Sequence, residues 1–192
     1  MEHFHTIQGE GHHAGKAAYF IRIAGCDVGC PWCDVKESWD DQYPKASVQT
    51  MIEWVKESGA KNVVITGGEP SLYDLSELTQ QFRTAGFNLW LETSGAYELT
   101  GEWDWVVLSP KRRKQPHPSN WNKVDEFKVV VVRPPDLEWA SNLAENLPDS
   151  AAWYLQPEWS REEEVLPRII NFVKENPDWS ISLQTHKYMR IP

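Results

Sequence analysis

The sequence predicts an α/β fold, specifically a partial, open (βα) barrel of about six parallel strands with an incomplete helical layer. Short apolar strands alternate with amphipathic helices along the chain, which is typical of parallel α/β folds. Polar motifs containing Gly or Pro follow the ends of successive strands. Segment 95–126 shows little helical periodicity, which predicts the gap in the helical layer. We expect the 192 residues to form one domain, 1–192, with too few βα units for a closed eightfold barrel.

The individual elements follow from local patterns. The apolar run at 18–24 predicts a strand that leads directly into a cysteine-rich loop. Ser47 is a suitable N-cap for an amphipathic helix that continues to about Ser58. Further strands are predicted at 62–66, 87–91, 105–108, 127–132, 152–155 and 180–183, and further helices at 74–84, 137–146 and 161–175. Because active sites of barrel-like α/β folds lie at the carboxyl ends of the strands, we expect the motifs there to converge.

The charge balance limits the classes of partner. Lys and Arg total 19 against 28 acidic residues, so the formal net charge is −9. Such a surface repels phosphate backbones, which argues against a nucleic-acid binder and against binding to an anionic membrane. No apolar run has the length of a membrane span, and the first residues lack a signal-peptide pattern, so we expect a cytoplasmic protein.

All three cysteines lie in one loop, with C-x3-C-x2-C spacing: Cys26, Cys30 and Cys33. An odd number of closely spaced cysteines argues against a disulfide framework and favours a metal site. Three thiolates suit three corners of a [4Fe–4S] cluster and leave the fourth iron open. The alternative is a zinc site completed by His12 or His13, but zinc sites usually have a second short pair of ligands, which the sequence lacks.

This loop, with an aromatic residue before its last cysteine, resembles the signature of the radical S-adenosylmethionine (SAM) superfamily. Gly67-Gly68-Glu69-Pro70, at the end of the next strand, resembles the superfamily's GGEP-type motif. The resemblance implies a [4Fe–4S] cluster on the three cysteines, whose open iron binds S-adenosyl-L-methionine, and cleavage of SAM to a 5′-deoxyadenosyl radical. It also implies cofactor-binding roles for Trp32, Asp34, Gly67, Gly68, Glu69, Thr93, Ser94, Ser109, Lys111 and Gln156.

Further blocks resemble the family of 7-carboxy-7-deazaguanine synthases. These blocks are TIQGEG at 6–11, FIR at 20–22, CDVKESW at 33–39, LETSG at 91–95, SPK at 109–111, LQP at 155–157 and LQTHKY at 183–188. The resemblance implies a homodimeric lyase of queuosine-type deazapurine biosynthesis, reduced by a flavodoxin or ferredoxin. Its reaction would convert 6-carboxy-5,6,7,8-tetrahydropterin to 7-carboxy-7-deazaguanine with loss of ammonia. The implied substrate-binding residues are Ile7, Gln8, Gly9, Arg22, Thr66 and Pro192.

Two of these substrate positions also have an argument from chemistry. Arg22 shares a strand face with Phe20 in an otherwise apolar strand, where an arginine is costly unless a carboxylate pairs with it. The substrate supplies such a carboxylate, although a protein acid in a structural salt bridge would serve as well. The carboxylate of Pro192 is expected to accept hydrogen bonds from the N–H donors of the pterin, and the alternative is an ordinary solvated terminus.

Magnesium is the one cofactor on which the sequence departs from the family. Many relatives have a hydroxyl residue two positions after the last cysteine, where this chain has Val35, which cannot ligate a hard cation. Either substrate and water alone hold the ion, or Asp34, Glu37 or Ser38 compensates, or the ion is absent.

Two other functions stay open from the sequence, and one basic run has no assigned role. A glycyl-radical activase would share the cysteine loop but would need no pterin site, and a non-catalytic zinc-binding module would contain no iron or sulfide. The basic run continues beyond Lys111, and we expect 112–114 to be a solvated loop.

Overall fold

One eight-stranded sheet forms the centre of the structure, a computed structural model that describes residues 1–192. The strands are β1 Glu2–Ile7, β2 Ala17–Ile23, β3 Asn62–Gly67, β4 Asn88–Thr93, β5 Trp105–Leu108, β6 Glu126–Val131, β7 Ala152–Pro157 and β8 Trp179–Ile181. They lie in the sheet in chain order. β1 pairs with β2 antiparallel, and every later pair is parallel. Because β1 and β8 do not pair, the sheet is open.

Five α-helices accompany the sheet: α1 Val48–Ser58, α2 Ser76–Thr84, α3 Pro135–Ala144, α4 Glu162–Glu175 and α5 Thr185–Met189. No α-helix lies between β4 and β6, so the incomplete helical layer is confirmed. Ser47 is the N-cap of α1, since its hydroxyl oxygen accepts a hydrogen bond from the amide of Thr50. None of the helices has the length and apolar character needed to cross a membrane.

Three features differ from the expectations. The parallel strands number seven rather than about six, since β2 to β8 are all parallel. β1 was not expected, because its charged and histidine residues form no apolar run, and cross-strand contacts such as the stacking of Phe4 on Phe20 accompany its pairing with β2. α5 lies in the segment after the last predicted strand, for which no helix was expected. Every other predicted strand and helix is confirmed within two residues at each end.

The hydrophobic core lies mainly between the sheet and its helices, in two clusters. One contains side chains of β2 to β5, α1 and α2, and the other contains side chains of β5 to β8, α3 and α4. Alternate strand residues point to the opposite face. That face carries a small apolar cluster with Ala18, Val64 and Trp90, and charged or polar side chains such as Glu92 and Lys128.

The loop between β1 and β2 reaches across this second face. The amide of Gly11 donates to Ser182 Oγ (2.9 Å), just beyond β8, and the amide of His12 donates to Glu126 Oε2 (3.1 Å) at the start of β6. Gly11 has φ +62°, and a Cβ there would lie 1.8 Å from Glu126 Oε1. The loop can therefore pack against the Glu126 carboxylate only with glycine at this position.

We expect Gly11→Ala to destabilise the protein more than Gly15→Ala. Gly15 lies in the same loop with φ +87°, and a Cβ added to it would meet nothing within 4 Å, so its replacement costs only the left-handed conformation, roughly 1 kcal/mol. Gly11→Ala adds the collision with Glu126. The free energy of unfolding of both variants in urea would test this, and equal losses would mean that the Glu126 contact does not constrain the loop.

Candidate active site

One cavity of about 490 Å³ opens at the carboxyl ends of the strands, a volume typical of ligand pockets. Every residue to which the family resemblance gives a cluster-binding, SAM-binding or substrate-binding role lines it. These residues are Ile7, Gln8, Gly9, Arg22, Cys26, Cys30, Trp32, Cys33, Asp34, Thr66, Gly67, Gly68, Glu69, Thr93, Ser94, Ser109, Lys111, Gln156 and Pro192. The convergence of motifs that are scattered in sequence is therefore confirmed.

The cysteine loop forms one end of the cavity. Its three thiols are half-buried and free. Burial raises the pKa of Cys30, and the nearby Lys111 cation opposes that rise. No three His, Cys, Asp or Glu side chains converge as the ligands of a single metal ion would. Three free thiols on a short loop that faces a cavity are a donor set that fits an iron–sulfur cluster, which takes one thiolate at each of several irons.

The Gly67-Gly68 turn packs directly against the chain that leads into this loop. The amide of Gly68 donates to the carbonyl of Ile23 (2.8 Å), and the amide of Glu69 donates to the carbonyl of Gly25 (2.9 Å). A Cβ on Gly68 would lie 2.1 Å from the carbonyl oxygen of Gly25. Only glycine permits this close approach, so the turn and the residue before Cys26 are fixed relative to each other.

The Glu69 carboxylate joins the ends of β3 and β4. Its side chain is 1% exposed and accepts hydrogen bonds from the amides and hydroxyls of Ser71 and Ser94 and from the Thr93 hydroxyl. Two carboxylate oxygens offer about four acceptor sites, so protein donors engage this group fully. In this structure Glu69 therefore fixes Thr93 and Ser94 in the cavity wall.

Lys111 is a half-buried cation beside the cysteine loop. Its Nζ donates to the carbonyl (2.8 Å) and hydroxyl (2.6 Å) oxygens of Ser109 and lies 5.2 Å from the ring centre of Trp32. Burial lowers the pKa of Lys111. Ser109, Lys111 and Trp32 therefore form one packed unit in the cavity wall.

A network of buried charges forms another part of the cavity wall. Lys128 is 2% exposed, and its Nζ lies 2.7 Å from Glu10 Oε2 and 3.1 Å from Glu92 Oε2. Gln8 Nε2 donates to Glu92 Oε1 (3.1 Å), and Gln184 Nε2 donates to Glu10 Oε1 (2.9 Å). The network joins the loop after β1, strands β4 and β6, and the segment after β8.

The two carboxylates of this network titrate differently. Burial raises the pKa of Glu92 to about 7, and the carboxylates of Glu126 and Glu10 add to this while Lys128 opposes it. Burial also raises the pKa of Glu10, but the charge of Lys128 and hydrogen bonds from Lys128 and Gln184 outweigh it and bring the value to about 2. Of these two carboxyl groups, Glu92 therefore has the pKa nearer to neutral pH.

Arg22 already has one protein partner. Its Nε donates to Glu2 Oε1 (2.5 Å), and both residues lie on the paired strands β1 and β2. The salt bridge with a protein acid, which the sequence left open, is thus present. The two terminal amino groups of the guanidinium donate to no protein group, and the side chain lines the cavity. The edge of Arg22 that could bind a ligand carboxylate therefore remains available.

The three residues named as substitutes for a hydroxyl at Val35 lie in different places. Glu37 lies outside the cavity, whereas Asp34 and Ser38 line it. The Ser38 hydroxyl donates to the carbonyl of Val35 (2.7 Å), and Asp34 Oδ2 lies 3.3 Å from Lys187 Nζ. Asp34 and Ser38 are the residues of this loop whose side-chain oxygens could face a cation in the cavity.

The segment after β8 folds over the cavity. The amide and hydroxyl of Thr185 both donate to the carbonyl of Gly9 (2.9 Å each), which fixes the start of α5 beside the loop after β1. Arg190 adopts the left-handed conformation that ends α5. The chain then turns so that the carbonyl of Pro192 accepts a hydrogen bond from Thr6 Oγ1 (3.3 Å), and Pro192 lines the cavity.

Other cavity residues were missed, and residues 112–114, of which Arg112 and Arg113 are exposed, make contacts that were not expected. The lining also includes residues that the sequence analysis had not assigned: Glu92, Lys128, Glu158, Trp159, Gln184, His186 and Lys187. Lys128 had a detectable signal, since it is the one charged residue within the run FKVVVV. Residues 112–114 are not simply a solvated loop, because all three side chains make ion pairs or hydrogen bonds with other segments.

Comparison with known proteins identifies the class of this site. A model of the radical SAM superfamily matches residues 20–103, the segment with the cysteine loop and the Gly67-Gly68-Glu69-Pro70 motif. The 7-carboxy-7-deazaguanine synthase of Flavobacterium psychrophilum is 48% identical, over 100% of this chain and 91% of the relative. That of Synechocystis sp. is 42% identical, over 99% and 91%.

A solved structure extends the likeness to three dimensions. The crystal structure of QueE from Escherichia coli matches with a TM-score of 0.84 at 32% identity, over 95% of this chain and 91% of that chain. Likeness in sequence and in fold therefore covers almost the whole chain. The chain belongs to the 7-carboxy-7-deazaguanine synthase family of the radical SAM superfamily.

We expect Glu92→Gln to change how stability depends on pH. The raised pKa means that the folded protein holds a proton that the unfolded chain releases between about pH 4.5 and 7. The contribution of Glu92 to stability is therefore full below the lower value and is lost as pH rises through 7. Glutamine does not titrate, so the free energy of unfolding should fall less in the variant than in the wild type between pH 5 and 7.5. The difference between the two falls should be on the order of 1 to 3 kcal/mol.

Urea unfolding of both proteins at pH 5 and pH 7.5 measures the difference. Glu53→Gln, on the exposed surface of α1, is the control and should follow the wild type at both pH values. An unchanged pH dependence in Glu92→Gln would mean that Glu92 titrates at its ordinary pKa.

Proposed function

We propose that this protein is a radical SAM lyase that converts 6-carboxy-5,6,7,8-tetrahydropterin to 7-carboxy-7-deazaguanine with loss of ammonia, in queuosine biosynthesis. The observation that carries the proposal is that three free thiols and all the assigned SAM-binding and substrate-binding residues line one cavity. The names of the full-length relatives support the same reaction. The volume of the cavity suits small molecules and not a protein substrate.

Cys26, Cys30 and Cys33 would hold the [4Fe–4S] cluster. When cluster and SAM are bound, they supply a 5′-deoxyadenosyl radical, and the protein supplies orientation and electrostatics. The Gly67-Gly68 backbone, which is half-buried in the cavity wall, would lie against SAM. The remaining positions that we assign to SAM also line the cavity: Trp32, Asp34, Glu69, Thr93, Ser94, Ser109, Lys111 and Gln156.

The substrate would lie between Arg22 and the buried charge network. The two terminal amino groups of Arg22 would bind the substrate carboxylate in a bidentate pair of hydrogen bonds. Ile7, Gln8, Gly9, Thr66 and Pro192 line the same part of the wall and would contact the pterin ring. Gln8 is held in place because its amide nitrogen donates to Glu92.

Glu92 would handle a proton during the reaction. Loss of ammonia requires a proton on the departing nitrogen, and general acids work best when their pKa lies near the working pH. The pKa of Glu92 is raised to about 7, and Lys128 fixes its Oε2 from one side. Glu92 is the carboxyl group of the cavity wall best suited to donate that proton.

Magnesium, if the reaction uses it, would depend mainly on substrate and water oxygens. Val35 offers none, and the Asp34 carboxylate is already paired with Lys187. Ser38 keeps acceptor lone pairs, because its hydroxyl acts as a donor toward the Val35 carbonyl.

We also propose a partial barrel as the finer description of the fold. Support comes from the hydrogen bonds of Gly11 to Ser182 and of Thr185 to Gly9, which join chain segments next to the two edge strands. A homodimer, a flavodoxin or ferredoxin as electron donor, and a cytoplasmic location with reduced thiols complete the proposal.

The cysteine variants test this function directly. Anaerobically reconstituted wild type should bind about four irons and form 7-carboxy-7-deazaguanine from the carboxytetrahydropterin when reduced with SAM. Cys30→Ala should lose both properties, whereas Lys36→Ala, an exposed change three residues after Cys33, should keep them. Iron analysis and chromatographic detection of the product are the measurements. Full iron content and turnover in Cys30→Ala would exclude the assignment.

A pair of variants separates the two roles of Arg22. Arg22→Lys keeps the charge but loses the fork, so we expect the substrate to bind at least about tenfold more weakly, which equals 1.4 kcal/mol. Glu2→Gln removes only the protein partner and should leave substrate affinity within about twofold. Equilibrium binding of the substrate to the reconstituted protein measures both. If Arg22 served only as the partner of Glu2, both variants would bind substrate like the wild type.

A further inference from the structure

The chain after β5 makes a tight turn whose two sides face different surroundings. The amide of Lys114 donates to the carbonyl of Lys111 (3.1 Å), and these two residues form an antiparallel bridge. Lys111 enters the cavity wall, as described above. Arg113 and Lys114 instead reach the cysteine loop, more than eighty residues earlier in the sequence.

Both side chains contact the cysteine loop between its first two cysteines. Arg113 Nη1 donates to the carbonyl of Gly29 (2.8 Å), and Lys114 Nζ donates to Asp27 Oδ2 (2.6 Å). Tyr97, in the loop after β4, adds a third support, since its hydroxyl bonds both the Asp27 carboxylate and the Lys114 ammonium. The loops after β4 and β5 thus hold the same short segment.

Apart from the contacts with Arg113, Lys114 and Tyr97, this segment is anchored mainly by the side chain of Val28, which is 5% exposed. Residues 27–29 take part in no backbone–backbone hydrogen bond, and the loop between Cys26 and Cys33 contains no helix or strand. Gly29 has φ +65°, a conformation in which its carbonyl faces the Arg113 guanidinium. A side chain from another loop therefore holds the peptide just before Cys30 by a direct hydrogen bond.

We propose that Arg113 and Lys114 are positioning residues that clasp the cysteine loop and hold Cys26 and Cys30 in the geometry that retains the iron–sulfur cluster. We call the two contacts, Arg113 with Gly29 and Lys114 with Asp27, the clasp. It takes the place of the backbone–backbone hydrogen bonds that residues 27–29 do not make, and it limits the ways in which the loop can open. The inference rests on the cluster of the proposed function.

The test uses a control in the same turn. Arg112 carries the same charge one residue earlier, but it binds Asp136 Oδ1 (2.8 Å) and lies 4.7 Å from the ring of Trp139, away from the cysteine loop. With reconstituted protein under anaerobic conditions, the release of iron to a chelator should be about fivefold faster in Arg113→Ala, the scale of one hydrogen bond. Arg112→Ala should stay within about twofold of the wild type.

Two further readouts separate positioning from general stability. The electron paramagnetic resonance signal of the reduced cluster should broaden in Arg113→Ala, because the thiolates then take a wider range of geometries, while the midpoint of thermal unfolding of the cluster-free protein changes little. Arg113→Lys keeps a donor and should recover part of the retention. Lys114→Met and Asp27→Asn should each speed iron release, and the double variant should add little to either single change.

The outcomes distinguish the clasp from the proposed function. Wild type that binds no iron would refute the cluster itself. If the wild type retains its cluster and Arg113→Ala releases iron no faster than the wild type, only the clasp is refuted. The clasp is also refuted if Arg112→Ala speeds iron release as much as Arg113→Ala does. The effect would then come from the positive charge of the turn and not from contact with the cysteine loop. If Arg113→Ala does not fold, Arg113→Lys and the Lys114 and Asp27 variants decide the question.

Discussion

The buried ammonium of Lys128 is the constraint on which the active-site wall depends. Removing a charge from water costs several kcal/mol, and only close partners offset that cost. Lys128 finds them in Glu10 and Glu92, which lie on different chain segments. Gln184 joins from beyond β8 through Glu10. The charge of Lys128, in the middle of the sheet, thus holds the loop after β1 and the carboxyl-terminal segment against the same part of the cavity wall. Burial raises the pKa of Glu92, and the single charge of Lys128 opposes this rise without cancelling it.

Most of the fold follows from local sequence. The strands that end in motifs are short apolar runs, and a run of this kind has few alternatives when turn residues bound it. The N-cap at Ser47 needs only its own helix to act. The convergence of the motifs was also predictable, because carboxyl ends of parallel strands share one edge of the sheet. Most residues of the cavity wall could be named from the position of the motifs at strand ends and from the resemblance to a family, without any knowledge of distances.

What the sequence did not predict are interactions between residues far apart in the chain. Lys128 and Glu10 are separated by 118 positions, and Arg113 and Gly29 by 84. A charged side chain looks the same in a sequence whether it is solvated or buried with a distant partner. The basic turn was therefore interpreted as a solvated loop, although Arg113 and Lys114 support the cysteine loop. The sequence did not predict β1 for a related reason. Its pairing with β2 involves cross-strand contacts such as aromatic stacking, and β1 itself contains no apolar run.

The open sheet explains why so many loops are needed to build one cavity. A closed barrel fixes its two edge strands by a ladder of backbone hydrogen bonds, and here β1 and β8 have no such ladder. The loop after β1 and the segment after β8 take its place through a few hydrogen bonds, one from Gly11 to Ser182 and two from Thr185 to Gly9. Because Gly9 and the neighbouring residues Gln8, Glu10 and Gln184 line the cavity, loops form the part of its wall where a closed barrel would have paired strands.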